Sequence, residues 1–303
     1  MRPLQIGVQL PEVEYEYDWP QLKEMALLAE RIGLDSIWLG DHLMYPPSGS
    51  KPARGPFEAW STLSALAAAT ERVQLGPLVA SLGFHTPPMI AKKAATIDRI
   101  SNGRFILGVG SGWNEAEYRG YGFPYDRRVS RFEEAFAIIR ELFATGESTF
   151  HGGFYDIEGA LLFPRPVQPG GPPLMIGSFG DRMLRITLPH VQMWNAWNHD
   201  YGNTRDGLAA LLARIDAACE AAGRDPAALE RTVCPLVQMT GGIGRPSGSG
   251  EVVPPIDGTD PAALAAELTA LAEMGISHVM LVLDPITPNA IAELEPVLRL
   301  LDT

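Results

Sequence analysis

The stretch Arg104–Glu115, reading Arg-Phe-Ile-Leu-Gly-Val-Gly-Ser-Gly-Trp-Asn-Glu, constrains the fold of this chain most strongly. Its apolar first half has the length and composition of a strand that is buried on both faces. Three glycines follow at every second position, Gly108, Gly110 and Gly112. Because glycine has no side chain, a ligand can approach the backbone closely there. A strand end of this kind is typical of ligand sites at the carboxyl ends of α/β-barrel strands.

Known nucleotide-binding and hydrolase motifs do not account for these glycines. In the dinucleotide pattern G-x-G-x-x-G the third glycine would stand where the chain has Trp113. The chain also lacks the P-loop pattern G-x-x-x-x-G-K-[ST] and the hydrolase pattern G-x-S-x-G. The sequence therefore argues against a Rossmann dehydrogenase, a P-loop nucleotide hydrolase and a serine hydrolase.

Short apolar strands and amphipathic helices alternate along the 303 residues. The predicted strands are Leu4–Leu10, Asp35–Gly40, Val73–Val79, Arg104–Gly110, Leu174–Gly177, Val191–Ala196, Thr232–Thr240 and His278–Leu283. A helix follows each strand, and the last helix is predicted over Asn289–Leu301. Eight such units predict an α/β fold, a (β/α)8 TIM barrel, as a single domain over residues 1–303. Insertions are expected after strand four, as a hairpin over Ser148–Gly159, and after strand seven, as the loop Gly241–Thr259.

Composition limits the kinds of partner. The formal net charge is −12, and the chain has no lysine- or arginine-rich run. This predicts no nucleic-acid partner and no anionic membrane partner, because both need basic surfaces. No apolar run approaches the ~18 residues that a membrane span needs, and the start of the chain has no signal-peptide pattern. We expect a cytoplasmic protein that acts on a small molecule, with Cys219 and Cys234 as small buried side chains.

The pair Asp41-His42 directly follows the predicted second strand. Histidine exchanges protons near neutral pH, and a neighbouring carboxylate can orient its ring. Since barrel active sites lie where strands run into helices, we expect this pair to take part in chemistry. His85 and His199 fall on the same face, where each is expected to have a structural role. No H-x-x-x-H or similar spacing occurs, so the sequence predicts no metal site.

A second glycine-spaced strand end occurs at Ile176-Gly177-Ser178-Phe179-Gly180. It opens into a predicted helix, whose first N–H groups can hold a phosphate. Glycine also serves a tight turn between a strand and a helix, which is the structural alternative. Because barrels often bind phosphate on their later loops, the sequence favours a phosphate contact here.

Four segments together resemble the bacterial-luciferase-like flavin and deazaflavin oxidoreductases. They are Ile37–His42, Arg104–Glu115, Ile176–Gly180 and Trp194–Trp197. The resemblance runs from Ile6 to about Val237 and returns at the last strand. It implies a (β/α)8 barrel that binds FMN or the deazaflavin coenzyme F420 across the carboxyl ends of its strands, and a homodimer.

Within this family, Gly40-Asp41-His42 resembles the F420-dependent branch, since the FMN monooxygenases more often carry a Glu-His pair there. By resemblance Asp41 and His42 are catalytic, with His42 handling a proton beside the reactive ring. Ala80-Ser81-Leu82 matches a bulge, often with a non-proline cis peptide, that backs this ring. The implied cofactor contacts are Asp41, Ala80, Ser81, Leu82, Gly108, Gly110, Ser111 and Gly112, with Gly177, Ser178, Phe179 and Gly180 at the phosphate.

The two cofactors imply different reactions. Deazaflavin has carbon where flavin has N5, so its reduced form gives hydride and reacts poorly with oxygen. An F420 enzyme would therefore be a two-electron reductase or dehydrogenase, whereas reduced FMN and oxygen would make a monooxygenase. A third reading is a non-catalytic barrel that has kept its cofactor pocket. The sequence does not identify the organic substrate.

Overall fold

The computed structural model describes residues 2–47, 52–244 and 252–302. Its strands are β1 Gln5–Gln9, β2 Ser36–Leu39, β3 Gln74–Pro77, β4 Ala80–Ser81, β5 Leu107–Gly110, β6 Glu147–His151, β7 Asp156–Leu161, β8 Leu174–Ile176, β9 Met193–Trp197, β10 Glu230–Cys234, β11 Leu236–Gln238, β12 Ile256–Asp257 and β13 His278–Asp284. Its α-helices are α1 Trp19–Ile32, α2 Ala59–Ala69, α3 Pro87–Ile100, α4 Glu115–Tyr121, α5 Arg128–Thr145, α6 Asp181–Thr187, α7 Arg205–Ala221, α8 Pro261–Glu273, α9 Pro288–Ala292 and α10 Glu295–Leu301.

Local sequence signals set the ends of the helices. Asp18 caps α1: its side chain accepts from the backbone N–H of Gln21, and the Gln21 side chain accepts in return from the backbone N–H of Asp18. Gly33 ends this helix with a positive φ of 98°. Asp260 caps α8, where its side chain accepts from the backbone N–H groups of Ala262 and Ala263, and Pro261 is at the first position of the helix. These starts are those that the sequence predicted.

Two predicted elements differ from the structure, and one helix of the structure was not predicted. The predicted seventh strand, Thr232–Thr240, is two strands, β10 and β11, with Pro235 between them. Proline has no N–H to donate to a neighbouring strand, which explains the interruption. The predicted last helix, Asn289–Leu301, is likewise divided into α9 and α10. Helix α4 was not predicted. The hairpin predicted after strand four is present as β6 and β7.

The chain divides into two compact units. The first comprises Met1–Trp38, Arg72–Gln74 and Met175–Thr303. Within it parallel strands follow the order β2, β1, β13, β10, β9, β8. Such strands are buried on both faces, in agreement with their continuous apolar sequences. The seven residues of β13 are all buried.

A buried histidine belongs to the core of this first unit. His278 lies 2.7 Å from the hydroxyl of Ser36, and that hydroxyl also accepts from the indole N–H of Trp38 at 2.7 Å. Burial lowers the pKa of His278 to about 3. His278 is therefore neutral at physiological pH and serves the packing of the unit. Cys219 and Cys234 are also buried and free here, as predicted, and burial raises the pKa of Cys234 to about 12.

The second unit comprises Leu39–Glu71 and Leu75–Leu174. Its strands β4 and β5 are parallel and place Ser81 opposite Gly110. This register brings together two of the segments that the sequence predicted to contact a cofactor. A non-proline cis peptide is present at Leu78–Val79, two residues ahead of the segment Ala80-Ser81-Leu82 to which the resemblance assigned it.

Two further expectations concern the chain as a whole. The single domain over residues 1–303 stays a prediction. Residues 48–51, and residues 245–251 of the predicted loop Gly241–Thr259, lie outside the described residues. Among the helices that the structure describes, none has the length and apolar character to cross a bilayer.

Candidate active site

Asp41 follows β2 and is almost completely buried, with 5% of its surface exposed. Its Oδ2 accepts a hydrogen bond from the backbone N–H of Ser81 at 2.8 Å. Its Oδ1 has no hydrogen-bond partner among the described residues. Burial raises the pKa of Asp41 to about 7, against the opposing effects of the Ser81 hydrogen bond and of the charges of His42 and Lys93.

His42 is held by a carboxylate other than the one that the sequence suggested. Its Nδ1 lies 3.0 Å from Oε2 of Glu117, so Asp41, its neighbour in sequence, is not the carboxylate that orients it. The other oxygen of Glu117 accepts from the backbone N–H of Leu43 at 2.6 Å and from that of Met44 at 3.3 Å. Glu117 thus fixes both the imidazole ring and the backbone that follows it.

Glu117 is ionised in this environment. Its side chain is 1% exposed, and such burial alone would raise its pKa. The hydrogen bonds from His42, Leu43 and Met44 outweigh that effect, and the pKa of Glu117 is lowered. An ionised carboxylate only accepts, so Nδ1 of His42 must carry the proton that it donates. Glu117 was not among the predicted site residues, because it lies on α4, 75 residues from His42 in the sequence.

Aromatic rings stand on two sides of His42. The Tyr45 ring centroid is 5.0 Å from that of His42, and the Trp113 centroid is 5.6 Å away in an edge-on arrangement. Trp113 is 62% exposed, which is unusual for a side chain of its size. A ring this exposed beside the glycine segment is available to contact a flat ligand.

Tyr118, a second residue that the sequence analysis missed, joins the predicted cofactor segments. Its hydroxyl donates to the carbonyl of Ser111 at 2.8 Å and accepts from the hydroxyl of Ser81 at 2.7 Å. Gly112 adopts a positive φ of 70°, and a Cβ there would lie 2.3 Å from the Tyr118 hydroxyl and 2.4 Å from Ser81 Oγ. Glycine is therefore required at position 112 by conformation and by space.

The other predicted contacts in this unit are buried backbone positions. Ala80 and Leu82 are buried, and Gly108 and Gly110 lie within β5, whose four residues are all buried. A Cβ at Gly110 would lie 3.0 Å from a methyl group of Val79. Glycine at this position thus allows the segment around the cis peptide to approach β5 closely.

The second glycine segment, Gly177–Gly180, belongs to the first unit and begins α6. Its Ser178 carbonyl accepts from the indole N–H of Trp194 at 2.9 Å. Phe179 is half-exposed beneath the guanidinium of Arg214, which is 5.8 Å from the ring centroid and also pairs with Asp181 at 2.6 Å. The phosphate contact at these residues stays a prediction.

A polar cluster that the sequence spacing did not reveal surrounds Asp41. Side-chain atoms of Asp41, Glu58 and His85 all lie within 4.8 Å of one another. Lys93, from α3, places its ammonium 3.2 Å from Nδ1 of His85. Burial, and then the charge of Lys93, lowers the pKa of His85 to about 4. His199, the other histidine expected to be structural, lies in the first unit at a 3-10 turn after β9.

Comparison with known protein sequences supports the resemblance described above. The sequence profile of the family described as "Luciferase-like monooxygenase" matches residues 5–240. An F420-dependent glucose-6-phosphate dehydrogenase of Amycolatopsis mediterranei (strain U-32) is 39% identical over 153 residues, which are 49% of this chain and 45% of that protein. The chain therefore spans about half the length of that relative.

Solved structures of similar fold bind both kinds of cofactor. An F420-dependent secondary alcohol dehydrogenase in complex with an F420-acetone adduct has a TM-score of 0.76 at 20% identity, covering 98% of each chain. Riboflavin lyase (RcaE) with modified FMN and substrate riboflavin has a TM-score of 0.82 at 16% identity, covering 99% of this chain and 91% of the other. These similarities confirm the predicted fold class, the (β/α)8 barrel.

Proposed function

Because the chain belongs to the luciferase-like monooxygenase family, we propose that it transfers a hydride between coenzyme F420 and a small organic substrate. The observation that carries this proposal is the pair Asp41 and His42, in which a buried carboxylate with an unpaired oxygen adjoins a histidine held by Glu117. The F420-dependent relative of Amycolatopsis mediterranei supports the choice of cofactor.

The residues around Asp41 fit a deazaflavin ring. A buried oxygen without a hydrogen-bond partner costs free energy unless a ligand or water supplies a donor. Oδ1 of Asp41 is such an oxygen among the described residues, and the deazaflavin ring has N–H groups that can donate to it. Ala80, Ser81, Leu82 and Gly108–Gly112, which lie on the neighbouring strands β4 and β5 and the residues that follow them, are the residues of this unit that would hold the ring.

When bound, coenzyme F420 supplies a ring carbon that carries the hydride. Oxidation of an alcohol to a carbonyl releases a hydride and a proton, so the protein must supply a group for the proton. Glu117 occupies Nδ1 of His42, and His42 would therefore exchange the substrate proton through Nε2. Trp113 and Tyr45 would limit the access of water to this nitrogen.

A second candidate function is an FMN-dependent monooxygenase. It is favoured by the description of the family and by the fold similarity to riboflavin lyase with modified FMN. In that case the same residues would hold the flavin ring, and molecular oxygen would be a co-substrate. The third reading, a non-catalytic barrel, is disfavoured by the His42–Glu117 pair, which a protein that only binds a cofactor does not need.

Titration of the purified protein with each cofactor separates these functions. We expect coenzyme F420 to bind with a micromolar or lower Kd, followed by its fluorescence, and FMN to bind more weakly. Reduction of bound F420 by a panel of small alcohols then tests turnover. Tight FMN binding without any F420 response would refute the proposal, and F420 binding without turnover would favour the non-catalytic reading.

The oligomeric state and the location in the cell are further proposals. A homodimer is implied by the family resemblance, and a cytoplasmic location by the sequence. Light scattering after size exclusion tests the dimer, since a monomeric mass at micromolar concentration would refute it.

A further inference from the structure

Glu58, His85 and Lys93 lie close to Asp41, and the proposed reaction gives these three side chains no role. Asp41 follows β2, Glu58 caps α2, and His85 follows a 3-10 turn over Leu82–Phe84. Their side-chain ligand atoms lie within 4.8 Å of one another. One member, Asp41, is buried and has an oxygen without a partner in the described part of the chain. Such a carboxyl is either protonated or ionised with the help of a nearby positive charge.

Lys93 already supplies a cation at this place. Its ammonium lies 3.2 Å from Nδ1 and 3.4 Å from Nε2 of His85, and 5.5 Å from the centroid of the Trp60 ring. The pKa of His85, lowered to about 4 by burial and then by Lys93, makes its imidazole neutral, so it can accept a hydrogen bond from the ammonium. Lys93 is therefore the only permanent positive charge among these four side chains.

A divalent metal ion is the alternative occupant, because two carboxylates and one histidine are a common ligand set. A metal bound to His85 would lie within a few ångströms of the Lys93 ammonium, and like charges at that distance repel strongly in a buried site. The charge of Lys93 thus disfavours a metal ion at these three residues.

We propose that Lys93 is a positioning residue that favours the ionised form of Asp41, in which the unpaired Oδ1 accepts a hydrogen bond from the cofactor. The cofactor contact rests on the proposed function, whereas the effect on Asp41 does not. A protonated carboxyl oxygen would donate at Oδ1 and would oppose a donor on the ring. The charge of Lys93 therefore acts on affinity without touching the cofactor.

The other groups that face Asp41 determine how much depends on Lys93. The Ser81 N–H and the charge of His42 favour the ionised carboxylate, and the charge of Glu58 disfavours it. Burial would raise the pKa of Glu58, but hydrogen bonds from Ser61 and Trp60 and the charge of Lys93 lower it, so Glu58 remains negative. Asp41 in turn acts on the hydroxyl of Tyr118. Without Lys93 the buried Asp41 would face the half-buried carboxylate of Glu58 with no lysine charge beside them, and Asp41 would take up a proton more readily.

The test compares Lys93→Met with Lys92→Met, which removes the neighbouring lysine of the same helix, whose ammonium contacts the carbonyl of Phe163. In the protein without cofactor, the infrared C=O band of the protonated Asp41 carboxyl is followed against pH and assigned by its loss in Asp41→Asn. We expect the midpoint to rise by at least about one pH unit in Lys93→Met, equivalent to a tenfold shift in the proton equilibrium. In Lys92→Met the midpoint should not move.

Cofactor affinity gives the second readout. At pH 7, Lys93→Met should bind coenzyme F420 about fivefold more weakly or worse, because wild-type Asp41 is already about half ionised there and a shift of one pH unit lowers the ionised fraction to about a tenth. Affinity should recover at higher pH, where Asp41 ionises without Lys93, and Lys93→Arg should bind like the wild type. A merely structural role of Lys93 would weaken binding equally at every pH.

The possible outcomes separate the role of Lys93 from the proposed function. Equal Asp41 midpoints in wild type and Lys93→Met would overturn the inference, as would tight binding of Zn²⁺ or Mg²⁺ by the wild type that Asp41→Asn abolishes. A raised midpoint in Lys93→Met together with no F420 binding by the wild type would support the role of Lys93 and refute the proposed function alone.

Discussion

Replacement of Glu117 by glutamine tests how His42 is held. Glu117 is 1% exposed, and one oxygen accepts the backbone N–H groups of Leu43 and Met44 while the other accepts Nδ1–H of His42. In Glu117→Gln the amide oxygen retains both backbone hydrogen bonds. The amide nitrogen then faces His42, where it can only donate. Nδ1 must accept, and the ring proton moves to Nε2.

The free-energy change follows from the hydrogen bonds that change. A hydrogen bond to a charged group contributes about 1.5–3 kcal/mol and a neutral one about 0.5–1.5 kcal/mol, so Glu117→Gln should lower the free energy of unfolding by about 1–2 kcal/mol. Glu117→Ala leaves three buried donors without an acceptor and should cost about 3 kcal/mol or more. In turnover, loss of a correctly protonated acid–base group costs about 10²–10⁴-fold. The turnover of Glu117→Gln should be lower by a factor in that range, although its cofactor affinity should be nearly unchanged.

Two measurements check this reasoning. Two-bond ¹H–¹⁵N correlation spectra report which ring nitrogen of His42 carries the proton, and urea unfolding gives the stability. The matched control is Glu115→Gln on the same helix, whose carboxylate forms an exposed pair with Arg119 at 2.6 Å. The control should stay within about 0.5 kcal/mol of the wild type, as surface substitutions usually do. An unchanged His42 tautomer in Glu117→Gln would refute the reasoning.

Three further predictions follow from the same site. His42→Ala should lower turnover by about 10²–10⁴-fold while the Kd of the cofactor changes little, and a full-rate variant at saturating substrate would remove His42 from the mechanism. The pKa of Asp41 is raised to about 7 in the folded protein, above its usual range, so the buried carboxyl is stable when protonated and costs stability once ionised. Stability of the cofactor-free wild type should therefore fall as pH rises from about 4 to about 7, by at most about 4 kcal/mol, and Asp41→Asn should lack this fall in urea unfolding at pH 5 and pH 8. Gly112→Ala should destabilise the protein by several times the ~1 kcal/mol that a positive φ costs alanine, whereas Gly159→Ala, with φ 59° and open space around its Cβ, should show only that cost in thermal unfolding.

The sequence predicted those parts of the molecule that depend on local signals. Asp18 and Asp260 cap their helices as expected, since a cap bonds to residues two or three positions away. The glycine-lined end of β5 was also predicted, because glycine at alternate positions of a buried strand has a direct structural meaning. The barrel followed from the regular alternation of such elements.

The partners of the site residues depend on tertiary structure and could not be predicted. The sequence placed Asp41 beside His42, yet the carboxylate that orients His42 is Glu117, on a short helix that the sequence did not reveal. Lys93 and His85 approach Asp41 from separate elements, and no spacing relates them. Sequence patterns find positions along one element, whereas hydrogen-bond partners across elements require coordinates.

Because both cysteines are buried, the rate at which they react with a thiol reagent reports how often one part of the chain opens. Cys219 and Cys234 both belong to the first unit and are fully buried, and burial raises the pKa of each thiol. Only a thiolate reacts with an aromatic disulfide reagent, so the closed protein offers it neither access nor a nucleophile. The rate at which the reagent releases its coloured product therefore reports the opening of the first unit alone. If cofactor or substrate lowers this reaction rate, it stabilises the first unit, independently of any change around Asp41 in the second unit.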